Sequence, residues 1–131
     1  KEVDELIYLD ISASAKESEP DFAHIYEIAT ECFMPLTYGG GINSLEFAKR
    51  IFDLGVEKIV LNTHATNYKL IEEISRIYGT QSLVISIDYK INRFTKKIMD
   101  LNKVIFPYLK AFTEMKYHCL FTLICPRIPL I

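Results

Sequence analysis

The sequence predicts an α/β domain built on a parallel sheet, and three observations carry that prediction. Over about the first ninety residues, short apolar runs alternate with helix-like amphipathic stretches at a spacing of roughly 25 residues. The runs in ELIYLDI, MPLTY, EKIVLNT and QSLVISIDYK are nearly continuous in apolar residues, as strands covered on both faces are. Three of the five glycines stand side by side at Gly39, Gly40 and Gly41, between one such run and the next helix-like stretch. Repeated strand, helix, strand units place their strands in parallel, and both an open doubly wound sheet and a barrel satisfy the pattern.

Each element has a local reason. Glu5 to Ile11 reads as a first strand covered on both faces. DFAHIYEIATECF places Phe22, Ile25, Ile28, Ala29 and Phe33 on one helical face, with Pro20 as a first-turn proline. MPLTY is the second strand. Asn43, three residues before Glu46, forms a capping-box pattern for a helix that Gly55 closes. EKIVLNT is the third strand, and KLIEEISRIYG lines up Leu70, Ile71, Ile74, Ile77 and Tyr78 before a terminating Gly79. QSLVISIDYK is the fourth strand.

Beyond Ile91 the rhythm stops, and the segment holds three of the five prolines, Pro107, Pro126 and Pro129. Residues 1–91 are therefore read as one βα unit and 92–131 as an atypical tail, helical or irregular. The recurrence of Ile98, Leu101, Ile105 and Leu109 predicts a helix from Lys97 to Phe106. The fourth strand is left without a parallel neighbour on its outer side, an exposed edge that promotes aggregation, and the tail is expected to pack over it as an irregular helix or to remain mobile.

Composition narrows the function classes. The chain has 131 residues, half of them hydrophobic and 24% charged, the composition of one ordinary globular domain. A net charge of −2 with no basic stripe argues against nucleic acid. No apolar run approaches the roughly 20 residues of a membrane helix, and KEVDE does not read as a secretory leader, so a cytoplasmic protein is expected. Cys32, Cys119 and Cys125 are odd in number and form no CxxC pair, which predicts free thiols and no metal site. His24, His64 and His118 are isolated in sequence, His24 on a helix surface, and no cofactor is implied.

In a parallel sheet the carboxyl ends of the strands share one edge, which gathers Asp10, the glycines, Asn62, Thr63 and Asp88. A glycine-rich turn before a helix is either a tight turn or an anion site made by backbone N–H groups. The spacing is neither GxGxxG nor a P-loop, so a phosphate is expected without a dinucleotide or ATP. Asp10 and Asp88 each interrupt an apolar strand near its end. Each is either an acceptor for loop N–H groups or a general acid or base with a raised pKa.

DELIYLDISAS, PLTYGGGI, GVEKIVLNT and GTQSLVISIDYK, in this order and spacing from Asp4 to Lys90, resemble the cyclase subunit of imidazole glycerol phosphate synthase. That resemblance implies a (βα)8 barrel, here as a truncated chain carrying about four parallel strands, the second to the fifth. It implies a reaction in which ammonia converts a phosphoribosyl-formimino carboxamide ribonucleotide to imidazole glycerol phosphate in histidine biosynthesis. On this reading Asp88 is the acid or base, and Gly41, Asn62 and Thr63 hold one substrate phosphate. Glu5 and Lys58 belong to a charged gate at the amino-end face, where ammonia arrives from a glutaminase partner, and Glu57 belongs to the partner interface. Asp10 is a further candidate acid. The catalytic aspartate of the family's first strand and its second phosphate site have no counterpart here, so the isolated chain is expected to be inactive. ECFMPLTYGGGI also resembles cyclase-like proteins of surface-polysaccharide clusters, which act in sugar amidation. A third expectation is a non-catalytic gene fragment with residual phosphate binding.

Overall fold

The computed structural model describes residues 4–16, 18–91, 98–100 and 118–123, with side chains for 4–13 and 18–86. In chain order the elements are β1 (Leu6–Leu9), α1 (Ile11–Lys16), α2 (Phe22–Glu31), β2 (Leu36–Gly39), α3 (Leu45–Asp53), β3 (Lys58–Leu61), α4 (Tyr68–Tyr78), a 3₁₀ turn (Thr80–Ser82), β4 (Leu83–Ile91), β5 (Ile98–Asp100) and β6 (His118–Leu123). β1, β2, β3 and β4 lie side by side and all parallel, as the alternation predicts. The fold is α/β: among the described residues a six-stranded sheet in which β1 to β4 run parallel with connecting helices, part of a (βα)8 barrel.

Register divides the sheet into two faces, because successive strand residues point to opposite sides. Leu6 pairs with Leu36, Tyr38 with Ile59, and Ile59 with Leu83. On the face that includes Leu36, Tyr38, Ile59, Leu61, Leu83 and Ile85, these residues are buried in one core with Ile25 of α2, Ala48 and Ile51 of α3, and Leu70, Ile71 and Ile74 of α4. Burying a large aliphatic side chain stabilises by roughly 1.5–3 kcal/mol, so this layer between sheet and helices holds the fold together. The opposite face carries Glu5, Ile7, Leu9, Thr37, Gly39, Lys58 and Val60. Tyr38 lies fully in the core against the Tyr8 ring at 5.6 Å, and its hydroxyl has no hydrogen-bond partner among the described residues. Burial first, and the neighbouring Asp10 charge second, push that hydroxyl well above its ordinary pKa.

The helix boundaries differ in detail from the sequence reading. Asp21 caps α2, its carboxylate accepting from the His24 N–H at 3.1 Å, so Pro20 precedes the cap and does not occupy the first turn. α2 ends at Glu31, and Phe33 is 99% exposed in the following loop, off the buried face. Ser44, not Asn43, caps α3 by accepting from the Phe47 N–H at 3.3 Å. Asn67 caps α4 through the Leu70 N–H at 3.2 Å, and Gly79 closes it as expected.

β1 is not covered on both faces: Leu6, Ile7 and Leu9 are 37%, 49% and 46% exposed. It pairs only with β2 and forms the sheet edge among the described residues. The tail also departs from expectation. Ile98–Asp100 is a strand antiparallel to β4, not part of a helix, and the rest of the expected 97–106 helix lies outside the described residues. β6 pairs with β4 in parallel from Val84↔His118 to Tyr89↔Leu123, so β4 does have a parallel outer neighbour. Unpaired backbone groups on an edge demand partners, and here the tail supplies them.

Among the described residues, no helix is long and apolar enough to cross a membrane, and no group of three or more His, Cys, Asp and Glu could hold a metal ion. Cys32 is a free thiol, half-buried, with its Sγ 3.2 Å from the Met34 carbonyl oxygen; the side chains of Cys119 and Cys125 lie outside the described set.

Candidate functional site

The carboxyl ends of β1 and β2 are tied together by backbone. The Asp10 N–H donates to the Gly39 carbonyl at 2.7 Å, which sets the turn after β1 directly on the glycine run. Gly40 has φ 139° and Gly41 φ 65°, both in the range that side chains rarely adopt. A Cβ on Gly41 would lie 2.8 Å from the Ser18 carbonyl oxygen and 3.1 Å from the Ala13 Cβ. The chain's own loop thus packs against the glycines from one side, and helix α3 opens four residues after Gly41.

Asn62 and Thr63 follow β3 at the same edge. The Asn62 Nδ2 donates to the Ser86 Oγ of β4 at 3.2 Å, while Thr63 is exposed. Asp88 follows Ser86 by two residues on β4, in register with Thr122 of β6. The fold therefore brings Asp10 onto the glycine run and joins Asn62 to the strand that bears Asp88.

Asp10 is committed to its own loop. Its Oδ1 accepts from the Ser12 hydroxyl at 2.7 Å, the Ser12 N–H at 2.9 Å and the Ala13 N–H at 3.0 Å. The Ser12 hydroxyl bond, outweighing partial burial and helped by the two backbone bonds, holds the carboxyl below its ordinary range, opposite to the raised pKa of a proton donor. A lowered native pKa contributes stability that is complete above the usual carboxylate range and is lost as pH falls through the native value. Asp10→Ala is expected to cost about 1 kcal/mol near neutrality, as loss of a capping side chain does, and to remove that acid-side slope. Urea denaturation at neutral and acidic pH checks both.

At the opposite, amino-end edge the structure joins Glu5, Thr37 and Lys58. The Lys58 Nζ stands 2.9 Å and 3.0 Å from the two Glu5 carboxylate oxygens, and the Thr37 hydroxyl donates to Glu5 Oε1 at 2.7 Å. The Glu5 and Lys58 side chains are about a third exposed, so the pair itself is worth on the order of 1 kcal/mol or less. Thr37 is 1% exposed. Glu57 is exposed at the same edge, its N–H donating to the Leu36 carbonyl at 2.9 Å. The sequence reading missed Thr37 and Ser86. The available signal was a small hydroxyl residue inside an apolar strand, on the same alternation as Asp88 for Ser86 and register-matched to Lys58 for Thr37.

A parallel sheet covered by helices on one face, with polar loops at its carboxyl edge and a charged cluster at its amino edge, defines an α/β protein of the barrel class. Within that class, the chain belongs to the histidine biosynthesis protein family, whose model matches residues 1–123. The match runs past Ile91 and takes in β5 and β6. Among curated proteins, it is 56% identical over 89 residues to the Pseudomonas aeruginosa "Putative imidazole glycerol phosphate synthase subunit hisF2", covering 67% of this chain and 36% of that protein. It is 48% identical over 98 residues to the Leptospira interrogans "Putative imidazole glycerol phosphate synthase subunit HisF", covering 74% and 39%. It is 46% identical over 88 residues to the Chlorobium phaeobacteroides "Imidazole glycerol phosphate synthase subunit HisF", covering 66% and 35%. The matched region is thus little more than a third of the length of these relatives.

Proposed function

We propose that this chain provides part of the cyclase barrel of an imidazole glycerol phosphate synthase, in which ammonia converts a phosphoribosyl-formimino carboxamide ribonucleotide to imidazole glycerol phosphate. The observation that carries the reading is the separation of two polar sites on one sheet. The candidate substrate groups Gly41, Asn62, Thr63 and Asp88 belong to the carboxyl edge, and the Glu5, Thr37 and Lys58 cluster to the amino edge. An enzyme that receives ammonia from a separate subunit needs an entry remote from its substrate, and the relatives are named as subunits of an imidazole glycerol phosphate synthase. Asp88 serves as the acid or base; Gly41, Asn62 and Thr63 bind a phosphate; Glu57 lies at the glutaminase-facing surface. Asp10, ionised near neutrality, orders the loop beside the glycines. A biosynthetic role of this kind belongs in the cytoplasm.

Lys58 tests the division. In the complete barrel with its glutaminase, Lys58→Ala is expected to lower glutamine-dependent synthesis by roughly 10-fold or more, since ammonia must pass the altered gate, while the rate with added ammonium salt stays within about two-fold. Equal losses with both nitrogen sources would remove the gate from the proposal. Failure of the complete barrel to use ammonia at all would overturn the cyclase reading.

A further inference from the structure

Ser86 is 5% exposed in a strand whose neighbours are valine and isoleucine, and Thr37 and Ser86 are the buried polar side chains among the described residues. A hydroxyl in such a place is costly unless it is hydrogen-bonded, and an alanine would fill the position without that demand. It accepts a hydrogen bond from the Asn62 carboxamide, across the β3–β4 boundary and 24 residues away in sequence. β3 and β4 remain in register up to Leu61↔Ile85, so Asn62 and Ser86 are the next opposed pair and the contact extends the backbone ladder with side chains.

A carboxamide at the end of a strand rotates about its last torsion unless something fixes its plane. The 3.2 Å contact with Ser86 restrains it from β4, a strand held on both sides by β3 and β6. We infer that Ser86 is a positioning residue for phosphate binding, setting the orientation of the Asn62 carboxamide toward a phosphate monoester at the carboxyl edge. This inference rests on the reading of Asn62 as a phosphate ligand. Ser86 itself need not touch the ligand; its contribution is preorganisation, which lowers the ordering cost that the ligand would otherwise bear.

The test is a double-mutant cycle on the intact protein, with affinity for ribose 5-phosphate measured by calorimetry and the Asn62 side-chain amide followed by NMR. Ser86→Ala is expected to weaken binding roughly 3- to 10-fold, the worth of one hydrogen bond, and to shift the Asn62 amide signals in the ligand-free protein. Asn62→Ala weakens binding at least as much, and Ser86→Ala adds nothing in the Asn62→Ala background. Ser86→Thr, which keeps the hydroxyl, restores affinity to within about two-fold. Weakening by Asn62→Ala without any effect of Ser86→Ala, or additive losses in the double variant, would overturn the positioning role and leave the phosphate site standing. Unchanged affinity in Asn62→Ala would overturn the phosphate reading, and this inference with it.

Discussion

Asp88→Asn is expected to lower kcat of the complete cyclase by roughly 10²–10⁴-fold, the usual worth of a positioned acid or base, while substrate affinity stays within a few-fold. The substitution keeps the size of the side chain and its capacity to hydrogen-bond, and removes the titrating group. Its position suits that role. β4 runs from Leu83 to Ile91, but its register with β3 ends at Ile85, so Asp88 stands beyond the end of β3 while its backbone is still paired through Asp88↔Thr122. The backbone that carries it is anchored by a paired strand, one residue pair before that pairing ends at Tyr89↔Leu123. Single-turnover kinetics with ammonia, beside a thermal melt, would check this. A fall in kcat matched by a comparable loss of folded protein would make Asp88 a structural acceptor instead.

The parallel core was legible because two signals agreed. Leu36, Ile59, Leu61, Leu83 and Ile85 are buried by the same helices whose apolar stripes, Leu70, Ile71 and Ile74 above all, could be read at helical spacing. Features set by tertiary context were harder. Asn43 and Ser44 are both good caps, and only the backbone at Ser44, extended at φ −144°, ψ 158°, decides between them. The helix α1 was missed because ISASAK has no apolar stripe; what opens it is the Asp10 carboxylate accepting from residues 12 and 13. In the tail, Ile98, Leu101 and Ile105 fit a helix, but a short apolar run is ambiguous by periodicity, and β4 takes Ile98–Asp100 as a paired strand.

The candidate site divides along the same line. Asp10, Asn62, Thr63 and Asp88 could be found because polar residues at strand ends are conspicuous in sequence. Thr37 and Ser86 were harder to find, because a hydroxyl in an apolar strand gains meaning only when the fold shows what it bonds. For Thr37 that is Glu5, and for Ser86 it is Asn62.

Gly40→Ala is expected to destabilise the fold by on the order of 3 kcal/mol, a larger loss than a left-handed glycine alone explains. Two costs combine at this position. The backbone sits at φ 139°, which an L side chain rarely adopts, and an added Cβ would collide with the Asp10 carbonyl oxygen and stand 2.9 Å from the Asp10 Cβ. The nearest atom is backbone, tied in place because the Asp10 N–H is already bonded to Gly39, so it cannot swing away as a flexible side chain would. Gly55 supplies the control. It has φ 98° but nothing within 4 Å of a built Cβ, so Gly55→Ala bears only the conformational term, about 1 kcal/mol. The difference between the two variants in urea denaturation therefore isolates the contact between the glycine run and the turn after β1. Equal destabilisation by both would mean that this contact relaxes freely. A larger loss at Gly40 would show that the glycines first serve to seat one loop against another, with ligand binding built on that seat.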